Sequence, residues 1–278
     1  MPTISLRKMS NKLDENGQAK YFLKHIDDYI NMKSDEKICM NDFIGKKFSL
    51  KFLDAINCIA CQRKVTKTFN QGYCFPCFQK LAECDMCIVK PELCHFDEGT
   101  CRDDEFAEKH CNITHIIYCS LTSAPKIGIT RKSNVPHRWI DQGAVSAIKL
   151  VEVNRRKDSG IIESEVAKNF TDKTNWRKML KNEVPDVNLS ELKIELLERI
   201  KEISEITGIK INQINENPVN ISYPVESYPE KIKSHNFDKN PLVEGTLLGI
   251  KAQYLIFDTG VINLRKFAGY RIQTQYQN

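Results

Sequence analysis

The sequence predicts an α+β protein, and three observations support that prediction. Nine of the eleven cysteines lie between residues 58 and 111, in a stretch with few large apolar side chains. Apolar runs typical of strands alternate with helical patterns between residues 115 and 181. A helical stretch at residues 190–207 then precedes antiparallel strand patterns at residues 244–276. The chain therefore divides into four predicted segments, which are residues 1–57, 58–111, 112–186 and 187–278.

Composition places the chain among globular proteins of ordinary make-up. Hydrophobic residues make up 41% and charged residues 28% of its 278 positions. Residues 1–24 are polar and lack the apolar core of a signal peptide, and no apolar run approaches the length of a membrane span. Together with many cysteines of the free-thiol type, this predicts a cytoplasmic protein that does not contact membranes.

The first segment, residues 1–57, is predicted to contain β structure. Phe48, Leu50 and Phe52 alternate with polar residues, which is the pattern of a half-buried strand. Residues 20–32 mix apolar and charged side chains and are compatible with a strand or with a helix. The strand at residues 48–53 leads directly into the cysteine-rich segment.

Two C-x-x-C pairs at Cys58–Cys61 and Cys74–Cys77, with twelve residues between them, predict a first metal site. Each pair brings two sulfurs to one side of a tight turn, and two such turns form a tetrahedral Cys₄ cage for structural Zn²⁺. Residues 64–73 resemble the hairpin of a zinc ribbon, with its turn at Asn70–Gly72. A disulfide framework would require an oxidising compartment, and a redox C-x-x-C would require a thioredoxin-like context; neither is indicated.

A second structural zinc site is predicted directly afterwards. Its expected ligands are Cys84, Cys87, Cys94 and Cys101. The last two positions have alternatives, which are His95, His110 and Cys111. Four thiolates leave no open coordination position, so both sites are expected to support the fold rather than catalyse a reaction.

The third segment reads as a β-hairpin, a helix, a strand and a second helix. The predicted strands cover residues 115–121, 126–130 and 147–153. The first helix covers residues 137–142, between Pro136 and Gly143. Residues 155–160 are predicted to be a basic loop that ends where Ser159 caps a helix over residues 161–170, and a shorter helical piece follows at residues 172–181.

The basic excess of the chain is concentrated in residues 112–185. This segment holds 13 basic and 7 acidic residues, whereas the whole chain has a net charge of +5. A local basic patch of this kind is typical of proteins that bind nucleic acid. The expected phosphate contacts are Arg131, Lys132, Arg155, Arg156 and Lys157.

The same segment resembles a GIY-YIG nuclease domain through Ile117-Tyr118, Ile127-Gly128 and Arg138. The resemblance implies a nuclease fold and four catalytic positions, which are Tyr118, Lys126, Arg138 and Glu163. Glu163, with Glu165 as second choice, would hold Mg²⁺ or Mn²⁺, Tyr118 would orient the attacking water, and Arg138 would stabilise charge on phosphorus. Lys126 stands where the family has its second tyrosine and would either contact phosphate or lower the pKa of Tyr118. Ile116 stands where the family has glycine.

Residues 58–180 more closely resemble a bacterial family described as domain of unknown function 2797. The resemblance rests on short segments that include Gln71–Cys74, Cys84–Cys87, Pro91–His95, Gly99–Arg102, Lys126–Arg131 and Arg138–Ala144. It implies an architecture but no activity.

The last segment is predicted to contain a helix that Ser190 caps and Gly208 ends. Strands at residues 255–257 and 261–264 form a hairpin, and this small β unit is expected to pair with the strand at residues 48–53.

Three functions remain open from the sequence. The first is a metal-dependent phosphodiesterase that acts on DNA or RNA, and the second is a non-catalytic nucleic-acid or ribonucleoprotein binder. The third is a zinc-stabilised protein adaptor. Dependence on a divalent metal distinguishes the first, and steep salt dependence distinguishes nucleic-acid binding from the adaptor.

Overall fold

The computed structural model describes residues 3–24, 37–168 and 175–276. Its strands are β1 (Thr3–Ser5), β2 (Ser10–Leu13), β3 (Ala19–Lys24), β4 (Lys37–Cys39), β5 (Lys47–Asn57), β6 (Lys64–Val65), β7 (His115–Leu121), β8 (Pro125–Arg131), β9 (Ser146–Val153), β10 (Asn212–Gln213), β11 (Val219–Asn220), β12 (Leu242–Lys251), β13 (Tyr254–Phe257), β14 (Gly260–Asn263) and β15 (Tyr270–Tyr276). Its α-helices are α1 (Phe75–Lys80), α2 (Met86–Val89), α3 (Asp104–His110), α4 (His137–Gln142), α5 (Arg156–Ala167), α6 (Trp176–Leu180) and α7 (Leu189–Thr207). The α+β prediction is confirmed.

The chain folds into two compact units. Unit 1 comprises residues 1–78, 140–143 and 222–278, and unit 2 comprises residues 79–139 and 144–221. The first cysteine group belongs to unit 1 and the second to unit 2. The finer division into four segments stays a prediction. Among the described residues, no helix is long and apolar enough to cross a bilayer.

Unit 1 is built on an antiparallel sheet whose described strands follow the order β1–β15–β5–β12–β13–β14, with β6 also paired to β5. The long strand β5 pairs with β15 on one side and with β12 on the other. The expected pairing of the C-terminal β unit with the strand at residues 48–53 is therefore confirmed, as is the hairpin between β13 and β14. A smaller sheet contains β2, β3 and β4. Of residues 20–32, the described part is strand, and residues 25–36 lie outside the described ranges.

Unit 2 is built on an antiparallel sheet in the order β10–β9–β7–β8, with β11 also paired to β9. All residues of β7 are buried, which explains why this central strand is an apolar run without polar alternation. Helices α5 and α7 cover the sheet through Ile162, Val166, Leu196 and Ile200. The predicted order of hairpin, helix, strand and helix is present, whereas the GIY-YIG resemblance itself stays a prediction. The short strands β10 and β11 lie within residues 209–243, a stretch rich in Asn and Pro whose sequence predicts loops.

The start of α5 differs from the prediction. The helix begins at Arg156, with Arg155 as its N-cap residue, so residues 156–160 are helical rather than a basic loop. Ser159 is not the cap: it is buried in the first turns, and its hydroxyl donates to the carbonyl of Arg156 at 2.7 Å. The physical reason lies in packing, because a Cβ added to Gly160 would meet Pro91 Cβ at 2.5 Å. The glycine thus allows the helix to approach residues 91–92 closely.

The ends of the later helices are close to those predicted. Helix α7 ends at Gly208, whose φ is 70°, as expected for a left-handed C-cap. Its N-cap is Asn188, whose side chain accepts from the backbone N–H of Ser190, so Ser190 is not the cap as predicted. Residues 169–170 of the first predicted helix and residues 172–174 of the second lie outside the described ranges.

Candidate metal centre and phosphate-contacting side chains

The four sulfurs of Cys58, Cys61, Cys74 and Cys77 form a compact group in unit 1. Cys58 directly follows β5, Cys74 directly precedes α1, and Cys77 lies in α1. Their sulfurs all lie within 4.8 Å of one another, and those of Cys61 and Cys74 are 3.6 Å apart. A tetrahedral zinc ion with Zn–S bonds of about 2.3 Å requires S···S distances of about 3.8 Å. The residues therefore fit a zinc ion, and the predicted Cys₄ cluster is a plausible zinc site.

Hydrogen bonds favour the ionised form of one thiol in this cluster, the form that binds a metal ion. The backbone N–H of Cys74 donates to the sulfur of Cys58 at 3.1 Å. Burial raises the pKa of Cys58, but backbone N–H groups of Cys61, Cys74 and Ala60 outweigh burial and lower that pKa to about 6. Burial and hydrogen bonds to the other three thiols raise the pKa of Cys77 to about 12. One thiol is thus readily ionised while the last holds its proton, and a bound metal ion would replace that proton.

The turns of the cluster follow from local sequence. Asn70, Gln71 and Gly72 all have positive φ angles, which makes the predicted turn of the ribbon hairpin. No residue with a side chain fits at position 72, since the φ of Gly72 is 131° and an added Cβ would meet Ile59 Cγ2 at 2.5 Å. Four cysteine ligands complete a tetrahedron, so a zinc ion at this site would hold the hairpin together and leave no position for substrate.

The surface around this cysteine cluster is basic and aromatic. Residues 58–78 contain three basic residues and no acidic one. Arg63, Lys64 and Lys67 are exposed, and none forms an ion pair with the described part of the chain. The ring of Phe75 is 50% exposed and lies 5.3 Å from the ring of Phe69, and Lys67 Nζ lies 5.0 Å above the Phe69 centroid. We call Arg63, Lys64, Lys67, Phe69 and Phe75 the ribbon surface.

The second cysteine group in unit 2 is less compact than predicted. Among the described residues, the ligand atoms that lie within 4.8 Å of one another are those of Asp85, Cys87 and His95. The Asp85 carboxylate also pairs with Arg102 Nε at 2.6 Å, and His95 Nδ1 lies 2.8 Å from the Thr100 hydroxyl. The remaining predicted ligands are Cys84, which is buried, and Cys94 and Cys101, which are partly buried. The ligand set of the second site therefore stays a prediction.

Tyr118 lies in the core of unit 2. It is fully buried in β7, directly opposite Gly128 in β8, and its ring meets Trp139 edge-on at 5.9 Å between centroids. The packing of Tyr118 explains the glycine of the Ile127-Gly128 pair, because Gly128 leaves space for the tyrosine ring. A buried side chain does not reach substrate, so this geometry favours a packing role for Tyr118. Lys126, opposite Ser120 in the same ladder, is partly buried.

Arg138 and Glu163 lie near a common cation, the partly buried Arg156. Burial lowers the pKa of Arg156; the negative charges of Cys111, Cys87 and Glu163 raise it, and the positive charge of Arg138 lowers it. Glu163 and Arg138 are partly exposed, from α5 and α4 respectively. Glu165, the second choice for the metal-binding carboxylate, is engaged by Lys168 at 2.6 Å. The structure thus brings Arg138 and Glu163 to a common neighbour, whereas Tyr118 is packed away from solvent.

The five predicted phosphate contacts already have partners within unit 2. Their partners are His110 for Arg131 at 2.6 Å, Glu152 for Lys132 at 2.7 Å, Asp97 for Arg155 at 2.9 and 3.0 Å, the carbonyl of Ile88 for Arg156 at 2.7 Å, and Asp97 for Lys157 at 3.5 Å. The hydrogen bond from Arg155 lowers the pKa of Asp97, as expected for an ionised pair. Glu152 and Asp97 therefore compensate part of this positive charge. A role for these residues in nucleic-acid binding stays a prediction.

One buried cation of unit 1 was not anticipated. Lys251, at the end of β12, is fully buried, and its ammonium lies 5.1 Å from the ring centroid of Tyr223 and 5.4 Å from that of Tyr228. In the sequence, Lys251 stands among apolar residues of a strand pattern. Exposed lysines commonly occupy such positions, so the pattern does not predict its burial.

Comparison with known proteins gives a family but no function. The model of one protein family, described as protein of unknown function (DUF2797), matches residues 45–272. No curated protein and no solved structure matches the chain.

Proposed function

The chain belongs to this DUF2797 family, and we propose that it is a zinc-containing protein that binds single-stranded nucleic acid through the ribbon surface. The observation that carries the proposal is the combination of the exposed ring of Phe75 with cations that form no ion pair in the described part of the chain, all on one cysteine module. The proposal extends to DNA and RNA, since stacking and phosphate contact do not depend on the sugar.

Charge supports the ribbon surface over the basic residues of unit 2. Arg63, Lys64 and Lys67 are exposed and form no ion pair with the described part of the chain. In unit 2, Lys132, Arg155 and Lys157 pair with carboxylates instead, and Arg156 donates to a carbonyl. A cation without an internal partner can replace the counterions of a phosphate, whereas a paired cation must first leave its carboxylate.

The aromatic rings supply the second part of the argument. Phe75 is half exposed and packs on Phe69. The Phe69 ring in turn lies 5.8 Å from the Phe78 ring and nearly parallel to it. A base can stack on such a ring whatever its identity, and a nearby lysine can contact the phosphate that follows. A zinc ion bound by the four cysteines would keep these side chains in place, because Phe75 immediately follows Cys74.

The test is fluorescence anisotropy with labelled single- and double-stranded DNA and RNA over a series of salt concentrations. Lys64→Gln with Lys67→Gln should reduce the slope of log affinity against log salt by about 0.7 for each phosphate that the protein no longer neutralises. Phe75→Ser should weaken binding of single strands about tenfold at fixed salt. Lys231→Gln, at an exposed lysine elsewhere in unit 1, is the matched control and should change neither quantity.

Two results would count against this function. Absence of binding to every labelled nucleic acid, even at low salt, would favour a protein adaptor, the third function considered from the sequence. Salt-sensitive binding that survives changes of the ribbon surface would mean that another face contacts the nucleic acid.

A second function, a phosphodiesterase that depends on Mg²⁺ or Mn²⁺, has one specific observation in its favour. Glu163 and Arg138, on different helices, both lie within electrostatic reach of Arg156. A carboxylate for a metal ion and a cation for the phosphate are two of the groups that hydrolysis needs. This function would use unit 2 and does not require the ribbon surface.

Cleavage of labelled DNA and RNA in Mg²⁺, Mn²⁺ or EDTA tests the second function. Glu163→Gln should abolish metal-dependent products, whereas the matched change Glu165→Gln should not, because Glu165 pairs with Lys168. Tyr118→Phe should retain cleavage, since Tyr118 is buried. Absence of products with every substrate would remove this function and leave the binding function to be judged on anisotropy alone.

A further inference from the structure

Three side chains of different ligand chemistry lie together in unit 2. Asp85 directly precedes α2, Cys87 lies in α2, and His95 directly precedes a short 3₁₀ helix at Phe96–Glu98. A carboxylate oxygen, the thiol sulfur and a ring nitrogen of these residues all lie within 4.8 Å of one another. Carboxylate, thiolate and imidazole are the three kinds of ligand that zinc takes in proteins. The group therefore has the composition of a metal site with three protein ligands.

The carboxylate of Asp85 is turned away from the helix that it precedes. Asp85 is the N-cap residue of α2, where an aspartate usually accepts a hydrogen bond from a backbone N–H of the first turn. No such hydrogen bond is formed here. The carboxylate instead accepts from Arg102 Nε at 2.6 Å, and Arg102 also donates to the carbonyl of Leu81 at 3.2 Å. A carboxylate held in this way keeps lone pairs for a metal ion, and the carboxylates of metal sites are commonly hydrogen-bonded by such neighbours.

The hydrogen bonds of His95 leave one ring nitrogen for a metal ion. Nδ1 lies 2.8 Å from the hydroxyl of Thr100, which donates its single proton to the carbonyl of His95 at 3.3 Å. The hydroxyl therefore accepts from Nδ1, and Nε2 of the neutral ring carries the lone pair. Gly99, whose φ is 67°, makes the turn that brings Thr100 back to the histidine. A ring that is oriented through its other nitrogen is the usual arrangement of a histidine that binds a metal ion.

The separation of Asp85 and His95 fits two ligands of one ion. The lone pair of His95 Nε2 faces Oδ2 of Asp85 at 3.6 Å, so two acceptors face each other. A proton shared between them would bring the two atoms to about 2.7–3.2 Å. A tetrahedral zinc ion with bonds of about 2.0–2.2 Å holds its nitrogen and oxygen ligands about 3.4 Å apart. The sulfur of Cys87 lies within 4.8 Å of both atoms, so a small side-chain movement completes the set of three ligands.

We propose that Asp85, Cys87 and His95 bind a second zinc ion whose fourth coordination position is open to solvent. The assignment keeps one cysteine of the second ligand set predicted from the sequence and replaces the other three. It goes beyond the proposed nucleic-acid binding and does not depend on it.

The surroundings of the group allow an outside ligand to reach the ion. The side chains of Asp85 and His95 are 13% and 27% exposed, so the site borders solvent without being fully immersed in it. Three protein ligands leave one tetrahedral position, which a water molecule occupies in zinc sites of this kind. The ion lowers the pKa of that water, and a small anion can take its place. The second ion would thus differ in kind from an ion in the Cys58–Cys77 cluster, where four thiolates fill every position.

The ligand types also select the metal. Thiolate and imidazole favour Zn²⁺ and similar transition-metal ions, whereas Mg²⁺ prefers oxygen ligands in an octahedral arrangement. We therefore expect Mg²⁺ not to displace the ion from this group. The site is accordingly separate from the Mg²⁺ or Mn²⁺ ion that Glu163 would hold in a phosphodiesterase.

The first test uses the unaltered full chain loaded stepwise with Co²⁺ in place of zinc. The sulfur-to-cobalt charge-transfer absorbance grows with the number of thiolates on each ion. Two ions should bind, and the band of one should be about a quarter as intense as that of the other, because one thiolate stands against four. Binding of a single ion, or a second band that corresponds to two or more thiolates, would overturn the ligand set.

The second test is the zinc content of variants after removal of loosely bound metal. Wild type should retain two zinc ions, and Asp85→Ala and His95→Gln should each retain one. His235→Gln, at a histidine of unit 1, is the matched control and should retain two. Cys94→Ser and Cys101→Ser should also retain two. Loss of the second ion in either of these cysteine variants, or its retention in His95→Gln, would contradict the assignment.

The open position has a test of its own. Azide added to the Co²⁺-loaded wild type should shift the d–d bands of the second ion, because the anion replaces its water. The spectrum of His95→Gln, which keeps only the ion with four thiolates, should not respond. A wild-type spectrum that azide leaves unchanged would mean that the second ion has no open position.

Thr100 is expected to act through the orientation of the His95 ring. Thr100→Val should weaken the second site about 10- to 100-fold in competition with a chelator and leave the first site unchanged. Thr207→Val removes another hydroxyl that donates to a backbone carbonyl, at 2.7 Å in α7, and should affect neither site. Equal effects of the two substitutions on the second site would contradict the positioning role of Thr100.

Discussion

Tyr118 and Gly128 face each other across the β7–β8 ladder, and a Cβ added to Gly128 would lie 2.6 Å from the tyrosine hydroxyl oxygen. This contact links two residues of the nuclease resemblance, the expected catalytic Tyr118 and the motif residue Gly128, and it gives both of them a packing role. Gly128 is required because of the tyrosine ring and not because of backbone conformation, since its φ is not in the left-handed region.

We therefore expect Gly128→Ala to destabilise the protein by about 1–3 kcal/mol through overpacking of a buried site. Urea denaturation measures the change. In a Tyr118→Leu background the same substitution should cost less, because the clash is with the ring, and the double-mutant cycle isolates that interaction. Equal costs in both backgrounds would mean that the added methyl group conflicts with something other than Tyr118.

The features that the sequence predicted well depend on residues close together in the chain. The Cys58–Cys77 cluster follows from two C-x-x-C turns, the β13–β14 hairpin from its Asp-Thr-Gly turn, and the end of α7 from Gly208. In each case a few neighbouring residues determine the backbone conformation.

The features that escaped prediction depend on partners far along the chain. Arg155 pairs with Asp97, 58 residues away, and Arg156 with the carbonyl of Ile88, 68 residues away. No local pattern distinguishes a basic run that faces solvent from one that folds back onto a distant loop. The start of α5 was misplaced for the same reason, since Gly160 resembles a loop residue until its contact with Pro91 is known.

Acid should release zinc from the Cys58–Cys77 cluster, because the ligands are thiolates and protons compete with the metal ion. We expect zinc to be retained at neutral pH and lost as pH falls, with loss of the ribbon hairpin. A chromophoric chelator and circular dichroism, followed over the same pH series, measure the two events.

Cys61→Ser should shift zinc release to higher pH, since the site then has one thiolate fewer. Cys39→Ser, a cysteine outside the cluster, should leave the release curve unchanged. Retention of zinc by Cys61→Ser at the wild-type pH would exclude Cys61 as a ligand.

Arg155 should contribute less to nucleic-acid binding than Lys67. Arg155 is held by Asp97 in a two-bond ion pair, whereas Lys67 is exposed and lies over an aromatic ring. Arg155→Gln is therefore expected to change affinity for single strands less than Lys67→Gln does, measured by anisotropy at one salt concentration.

Asp97→Asn provides the complementary variant, because it frees Arg155 and Lys157 from their shared carboxylate. If that substitution strengthens binding strongly while Lys67→Gln has no effect, the basic start of α5 rather than the ribbon surface contacts phosphate.

Burial of Lys251 should make stability depend on pH. Burial lowers the pKa of Lys251 from 10.5 to about 8, while the rings of Tyr223 and Tyr228 face its ammonium. Between these two pKa values the unfolded chain binds more protons at this residue than the folded chain does. Its contribution to the free energy of unfolding therefore rises with pH from about 8 towards 10.5, by up to about 3 kcal/mol.

Urea denaturation of wild type and Lys251→Met between pH 7 and pH 9.5 measures this contribution as a difference. Other groups titrate in the same range, and burial also raises the pKa of Tyr21 and Tyr223, so the wild-type curve alone would mix several effects. The stability gap between the two proteins should shift in favour of wild type as pH rises, because only wild type carries the buried ammonium. A gap that stays constant over this range would mean that the two tyrosine rings keep Lys251 charged at little cost, as strong cation–π contacts would.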